Sequence, residues 1–177
     1  TTRQFNVGLD FGLWEDRITG SMDYFINNTY DLLLNLPIPR TSGFNTSLQN
    51  VGDTENSGFE FMVDSRNLIG EFSWSTTFSF ATLQNRVTDL GGLPFILQGG
   101  QAFLSDFTIL REGDPINSYW GYQVEGIFQS QQEVDGSAQP GARPGDLRFR
   151  DINGDGAITA DDRTILGDPF PDLTIGL

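Results

Sequence analysis

Asp151-Ile152-Asn153-Gly154-Asp155-Gly156-Ala157-Ile158-Thr159-Ala160-Asp161-Asp162 is the one stretch whose spacing alone points to chemistry. Oxygen-bearing side chains stand at loop positions one, three and five, a glycine at six, a branched apolar residue at eight, and a carboxylate closes the loop at twelve. Hard cations need several oxygens converging from a tight turn, and this pattern supplies them. The expected ligands to Ca2+ are the side chains of Asp151, Asn153, Asp155 and Asp162 and the backbone carbonyl of Ala157, with Thr159 or a water at position nine. The competing reading is a metal-free Asp/Asn/Gly turn held by side-chain-to-backbone hydrogen bonds. With no catalytic group nearby in sequence, the role of the ion would be structural.

Other chemistries are largely excluded by composition. The 177 residues contain no Cys and no His, so thiolate or imidazole metal sites and Ser-His-Asp or Cys-His machinery are ruled out. Adjacent acids such as Glu15-Asp16 and Asp161-Asp162 lack a partner at glycosidase separation, and the chain is read as a non-enzyme. No glycine-rich loop precedes a helix, so no phosphate cradle is expected. Ten basic residues against 24 acidic ones give a net charge of −14, which argues against nucleic acid. Tyr119, Trp120 and Tyr122 form a further candidate, a stacking surface for sugar rings; packing in a loop or at a membrane interface is the plainer account.

The elements that must position these residues are strands. Fifteen Phe and 21 Gly, with little Ala or Lys, favour strands and turns over helices. Over residues 4–13, Phe5, Val7, Leu9, Phe11 and Leu13 alternate with polar residues and Gly. Trp14-Glu15-Asp16-Arg17 reads as a turn, and a return strand follows at about 17–27. Residues 28–57 read as a long connection broken at Pro37-Ile38-Pro39. A second hairpin covers about 58–85, turning at Asn67-Leu68-Ile69-Gly70, with Phe59, Phe61, Val63, Phe72, Trp74, Phe78 and Phe80 on its apolar face.

Residues 86–170 lose regular patterning and read as a long loop containing the loop at 151–162. Short strands are expected at 119–124, 126–129 and 147–150, and one or two helical turns over 160–165 with Thr159 as cap. A new strand begins near 172 and runs to 177. No apolar run is long enough for a membrane helix, and the opening at Thr1 within a patterned strand reads as a piece of a longer protein.

Strand, short turn, strand, long loop, repeated, is the organisation of an up-and-down outer-membrane barrel, and each full strand is near the ~9–11 residues that cross a bilayer as tilted β. Trp14, Tyr24, Tyr30 and Trp74, near strand ends, fit an aromatic girdle. The fold class is therefore all-β: antiparallel strands from part of a transmembrane barrel, with long extracellular loops. The alternative is a soluble secreted β-module binding calcium and glycans.

Several stretches, in order, resemble one family. They are Asn50-Val51-Gly52 through Asn56-Ser57-Gly58-Phe59-Glu60, Phe72-Ser73-Trp74 with Asn85-Arg86-Val87-Thr88-Asp89-Leu90, Glu112-Gly113-Asp114-Pro115-Ile116, Tyr119-Trp120-Gly121-Tyr122 through Phe128, and Pro144-Gly145-Asp146-Leu147-Arg148-Phe149-Arg150-Asp151 into the loop and on to Asp168-Pro169. The series resembles the C-terminal barrel region of SusC/RagA-type TonB-dependent outer-membrane transporters of Bacteroidetes. The loop itself, preceded by a strand, resembles dockerin-type calcium loops more than a calmodulin-like switch. The transporter resemblance implies a barrel of about 22 strands that imports oligosaccharides or peptides, a SusD-like surface lipoprotein as lid, and TonB energy coupling. It also implies that the family's N-terminal plug and TonB box lie outside these 177 residues, making the chain a fragment of the barrel.

Overall fold

In the computed structural model, residues 1–38, 41, 43–44, 46–100 and 106–177 are described. Pro39, part of the expected strand break, lies outside them. The chain divides into two compact units, one of Thr1–Ile96, Leu110–Ile116 and Phe170–Leu177, the other of Leu97–Ile109 and Asn117–Pro169.

The first unit is a five-stranded antiparallel sheet. Its strands are β1 (Thr2–Leu13), β2 (Ile18–Pro37), β3 (Thr46–Leu68), β4 (Trp74–Asp89) and, after the excursion, β11 (Leu173–Gly176), in the spatial order β1-β2-β3-β4-β11. The register joins Thr2 to Thr29 and Leu13 to Ile18 across the first hairpin, and Ser65 to Thr76 across the second. Arg17 N–H closes the first turn on the Trp14 carbonyl (3.2 Å), with Trp14, Glu15 and Asp16 all at positive φ.

The expected connection over 28–57 is corrected. β2 and β3 run on through it and pair as far as Pro37 with Thr46. Two compensating irregularities interrupt the pattern between Thr29 and Leu33: β2 carries an extra residue before Leu32, where Asp31 adopts a φ of 59° and its N–H donates to Asp53 Oδ1 (3.0 Å), and β3 carries one between Gly52 and Asn50. Each extra residue reverses which face the following side chains of its own strand take, so no single period of two runs the length of β2 or β3. β4 likewise continues to Asp89, past the expected end of the second hairpin.

Alternation sorts the sheet into two faces. Phe5, Val7 and Leu9 on β1 are more than half exposed, at 60%, 56% and 61%. Across β3 and β4 the same face carries the tilted ring pairs Phe59–Phe80 (5.7 Å) and Phe61–Phe78 (6.4 Å). Phe72 and Trp74 are also exposed. Among the described residues no second layer buries this face. The other face is polar, with Asp10, Asp23, Glu60 and Asp64. Asn27, Asn56 and Asn85 stand level on three neighbouring strands, and Asn85 Nδ2 donates to Asn56 Oδ1 (2.7 Å).

The buried apolar residues of this unit gather at the end of the sheet away from the short turns: Leu36, Val87, Leu90, Ile96 and Leu110, with Leu34, Val51, Leu93 and Ile116 against them. The segment Leu110–Ile116 is fastened there. Val87 exchanges hydrogen bonds with it, its N–H to the Asp114 carbonyl and its carbonyl from Gly113 N–H, both 2.9 Å. Leu90 N–H donates to Glu112 Oε1 (3.0 Å) and Ile116 N–H to Asn85 Oδ1 (2.7 Å). The Glu112-Gly113-Asp114-Pro115-Ile116 motif thus acts as a latch.

In the second unit, the short strands expected at 119–124, 126–129 and 147–150 lie at Ser118–Tyr122, Val124–Ile127 and Leu147–Phe149, and further short elements join them. A four-stranded sheet has the order β10-β7-β6-β5, built from β5 (Ile96–Gln98), β6 (Thr108–Leu110), β7 (Ser118–Tyr122) and β10 (Arg163–Gly167). β8 (Val124–Ile127) pairs with β9 (Leu147–Phe149). One short helix, α1 (Gln131–Asp135), is capped by Ser130, whose hydroxyl accepts Glu133 N–H. Strands of three to five residues are too short to show a period, which is why patterning fades over 86–170. Helical structure after the loop is limited to a 3-10 turn at Ala160–Asp162; Arg163 onward is strand, not the expected helical turns.

Candidate metal centre

The loop at 151–162 folds on its own side chains. Gly154 and Gly156 take φ of 74° and 83°, the left-handed region that lets the chain coil tightly without a Cβ penalty. The Asp151 carboxylate then accepts from both glycines: Gly154 N–H on Oδ1 (2.6 Å) and Gly156 N–H on Oδ2 (2.8 Å). Asn153 Oδ1 accepts Asp155 N–H (2.9 Å), and Asp155 Oδ1 accepts Ala157 N–H (2.9 Å). Asn153 Nδ2 donates to Asp155 Oδ2 (3.0 Å). These bonds join the donors expected at positions one, three and five into one coil.

Asp162 at position twelve is fully buried, at 0% exposure, and stitches the loop shut. Its Oδ1 accepts Ile152 N–H (2.9 Å) and, at 3.5 Å, Asn153 N–H; its Oδ2 accepts Thr159 N–H (2.7 Å). Thr159 and Asp162 form a capping box over the 3-10 turn. The Thr159 N–H foremost, with the Ile152 and Asn153 N–H groups, holds the Asp162 carboxyl below its ordinary value, outweighing the upward push of burial.

The residues fit a hard cation in kind: two short carboxylates, one amide oxygen and the Ala157 carbonyl position, with a buried carboxylate closing the ring. Among the described residues no group of three acidic side chains closes on one centre, so an ion here would draw on the amide and backbone oxygens as well. The hydrogen-bonded turn weighed against calcium from sequence describes the loop's own bonding. The Asp151, Asn153 and Asp155 oxygens each accept one hydrogen bond and retain a second lone pair, whereas both Asp162 oxygens already accept two contacts each.

The loop is anchored at both ends. Arg150 N–H donates to the Gln123 carbonyl (2.9 Å), and Ile158 N–H to the Ala138 carbonyl (3.1 Å). Gln139, which sequence reasoning did not single out, stands in for a neighbouring strand: its Nε2 donates to the Leu147 carbonyl (3.1 Å) and its Oε1 accepts Phe149 N–H (2.7 Å). Nothing in the sequence marks that role. We expect Gln139→Ala to weaken this edge by about 1–2 kcal/mol, because two backbone groups lose their partner at once. Amide exchange at Phe149 would show it; unchanged exchange there would refute the role. The helix α1, also not anticipated, did have a signal in Ser130-x-x-Glu133.

The three candidate stacking aromatics are divided by the pleat. Tyr119 points to one face of β7, with Tyr119 paired to Thr108 and Gly167, and Trp120 and Tyr122, two residues apart, point to the other. The Tyr122 ring lies against Phe149 (5.4 Å), and the Arg163 guanidinium sits over it (5.2 Å).

Long antiparallel strands with one uncovered apolar face and one polar face, joined by short turns at one end and an elaborate excursion at the other, define a piece of β-barrel wall. A model of the family "TonB dependent receptor-like, beta-barrel" matches residues 1–162. The chain belongs to that family. It is 40% identical to TonB-dependent receptor P3 of Formosa agariphila, covering 99% of this chain and 18% of the relative. To TonB-dependent receptor SusC of Bacteroides thetaiotaomicron it is 29% identical, over 99% of this chain and 17% of that protein. A solved structure of the RagAB peptide transporter superimposes with a TM-score of 0.74 at 24% identity, over 99% of this chain and 19% of that one. The chain thus spans about a fifth of the length of these relatives.

Proposed function

We propose that this chain forms part of the wall and one extracellular excursion of an outer-membrane TonB-dependent importer of large nutrients, oligosaccharides or peptides. The observation that carries the reading is the uncovered apolar face of β1–β4, which suits lipid, backed by a polar face that suits a wet lumen. The relatives named TonB-dependent receptor SusC and RagAB peptide transporter support a TonB-dependent uptake role, with peptides among the candidate substrates; a SusD-like surface lipoprotein as partner is what the family resemblance implies. In this reading the loop at 151–162 holds Ca2+ through Asp151, Asn153, Asp155, Asp162 and the Ala157 carbonyl, and the ion serves as a staple with no part in transport chemistry.

Fractionation of the full-length protein tests the first part. It should sediment with outer membranes and need detergent for release; recovery as a compact soluble monomer would instead favour a secreted β-module. Calorimetry tests the second. Wild-type protein should release heat with calcium at millimolar concentration or below, and Asp155→Ala should lose most of that heat. Equal titrations would refute the metal.

A further inference from the structure

Asn153-Gly154 is the one Asn-Gly pair in the sequence, and both residues are exposed. Glycine carries no side chain to hinder its own nitrogen, and a Cβ built on Gly154 would meet nothing within 4 Å. Around this pair the loop places three groups that act on one reaction. The Gly154 N–H, the nucleophile, points at the Asp151 carboxylate (2.6 Å). The carbonyl oxygen of the Asn153 side chain, where negative charge would develop, receives the Asp155 N–H (2.9 Å). The Asn153 Nδ2, the leaving group, is held by Asp155 Oδ2 (3.0 Å), which also fixes which side-chain atom is oxygen and which nitrogen.

We propose that Asn153 is a self-modifying site, converted through a succinimide to Asp and isoAsp by the loop's own groups. The Asp151 carboxylate takes the proton from Gly154 N as that nitrogen bonds to Asn153 Cγ. The Asp155 N–H stabilises the tetrahedral oxyanion on Oδ1. The Cγ–Nδ2 bond then breaks, and Nδ2 leaves as ammonia with the proton taken up from Gly154. Water opens the ring at either carbonyl, giving aspartate or isoaspartate; the net change is one water consumed and one ammonia released, without oxidation or reduction. Aspartate would add a carboxylate at loop position three, whereas isoaspartate would insert a methylene into the main chain and shift Asp155 and Ala157 out of register. The inference goes beyond the proposed metal staple and stands without it.

The test uses full-length protein with a chelator present, incubated at mildly alkaline pH in the folded state and, in parallel, unfolded in guanidinium chloride. Peptide mapping follows Asp and isoAsp at Asn153, with Asn56-Ser57 and Asn117-Ser118 as internal references. We expect conversion at Asn153 to be faster folded than unfolded, by about a hundredfold, the low end of what a positioned base contributes. Asp151→Asn should remove most of that difference and leave the unfolded rate unchanged. A folded rate equal to or below the unfolded rate would overturn the proposal, because the loop would then shield Asn153. An Asp151→Asn rate equal to wild type would overturn the role of Asp151 as base. Should that variant fail to fold, the folded-to-unfolded comparison on wild type still decides.

Discussion

Asp162→Ala should open the loop at 151–162 even with no metal present. The carboxylate is buried and is the shared acceptor for the backbone N–H groups of Ile152 and Thr159, with a longer contact from Asn153. Alanine leaves these donors without a partner in a place water reaches poorly, and an orphaned buried donor loses more than the bond it made. Amide exchange at Ile152 and Thr159 should rise by at least about tenfold. Asp162→Asn is the sharper variant, since it keeps the shape but turns an NH2 toward one of the two sets of N–H donors. It should raise exchange too. Wild-type protection in both variants would refute the stitch.

The same carboxyl sets a pH dependence. Its value is depressed in the fold, so its stabilisation is fully present above the ordinary value of 3.8 and is lost as pH falls through the lower folded value. Loop protection should therefore stay constant from neutral pH down to about 4 and collapse only below it. A midpoint near neutrality would show that another group governs the loop.

Gly58→Val should damage the sheet itself. Gly58 lies on β3 between Phe25 of β2 and Leu83 of β4 and is buried. A Cβ there would collide with the Thr82 carbonyl oxygen and meet Phe25 Cζ at 2.7 Å. The ring can turn away; the carbonyl belongs to the β3–β4 ladder and cannot. Overpacking of this kind destabilises by about 1–3 kcal/mol. The full-length protein in detergent should unfold at lower denaturant, with Gly58→Ala intermediate. Removing the ring in the Gly58→Ala, Phe25→Ala double variant should restore only part of the loss, because the carbonyl clash remains. Full restoration would place the whole effect on the ring.

This glycine sits inside the stretch Asn50 to Glu60 that carried part of the family resemblance, and the structure gives that stretch its physical content. Gly52 lies against Leu34, where a Cβ would come within 2.8 Å of Cδ1; Asn56 joins the row of asparagines; Gly58 accepts the Phe25 ring.

The alternation of β1, of the first half of β2 and of the second hairpin was legible in the sequence because a half-covered strand writes its two faces directly into period two. The tight coil at 151–162 was legible for a similar reason, since Asp, Asn and Gly at short fixed spacing set a turn by local side-chain-to-backbone bonds. Other features depended on partners distant in the chain. The extension of β2 and β3 through 28–57 follows from the bulge at Asp31 and its bond to Asp53. The latch at Glu112–Ile116 exists because Asn85, Val87 and Leu90 offer groups to it across the fold. Gln139 gains its role only when β9 lies beside it, and Tyr119 parts from Trp120 and Tyr122 only once β7 is pleated into a sheet. Local periodicity and short-range spacing belong to the sequence alone; which distant backbone group finds a donor is settled only when tertiary structure removes water and leaves that group needing a partner.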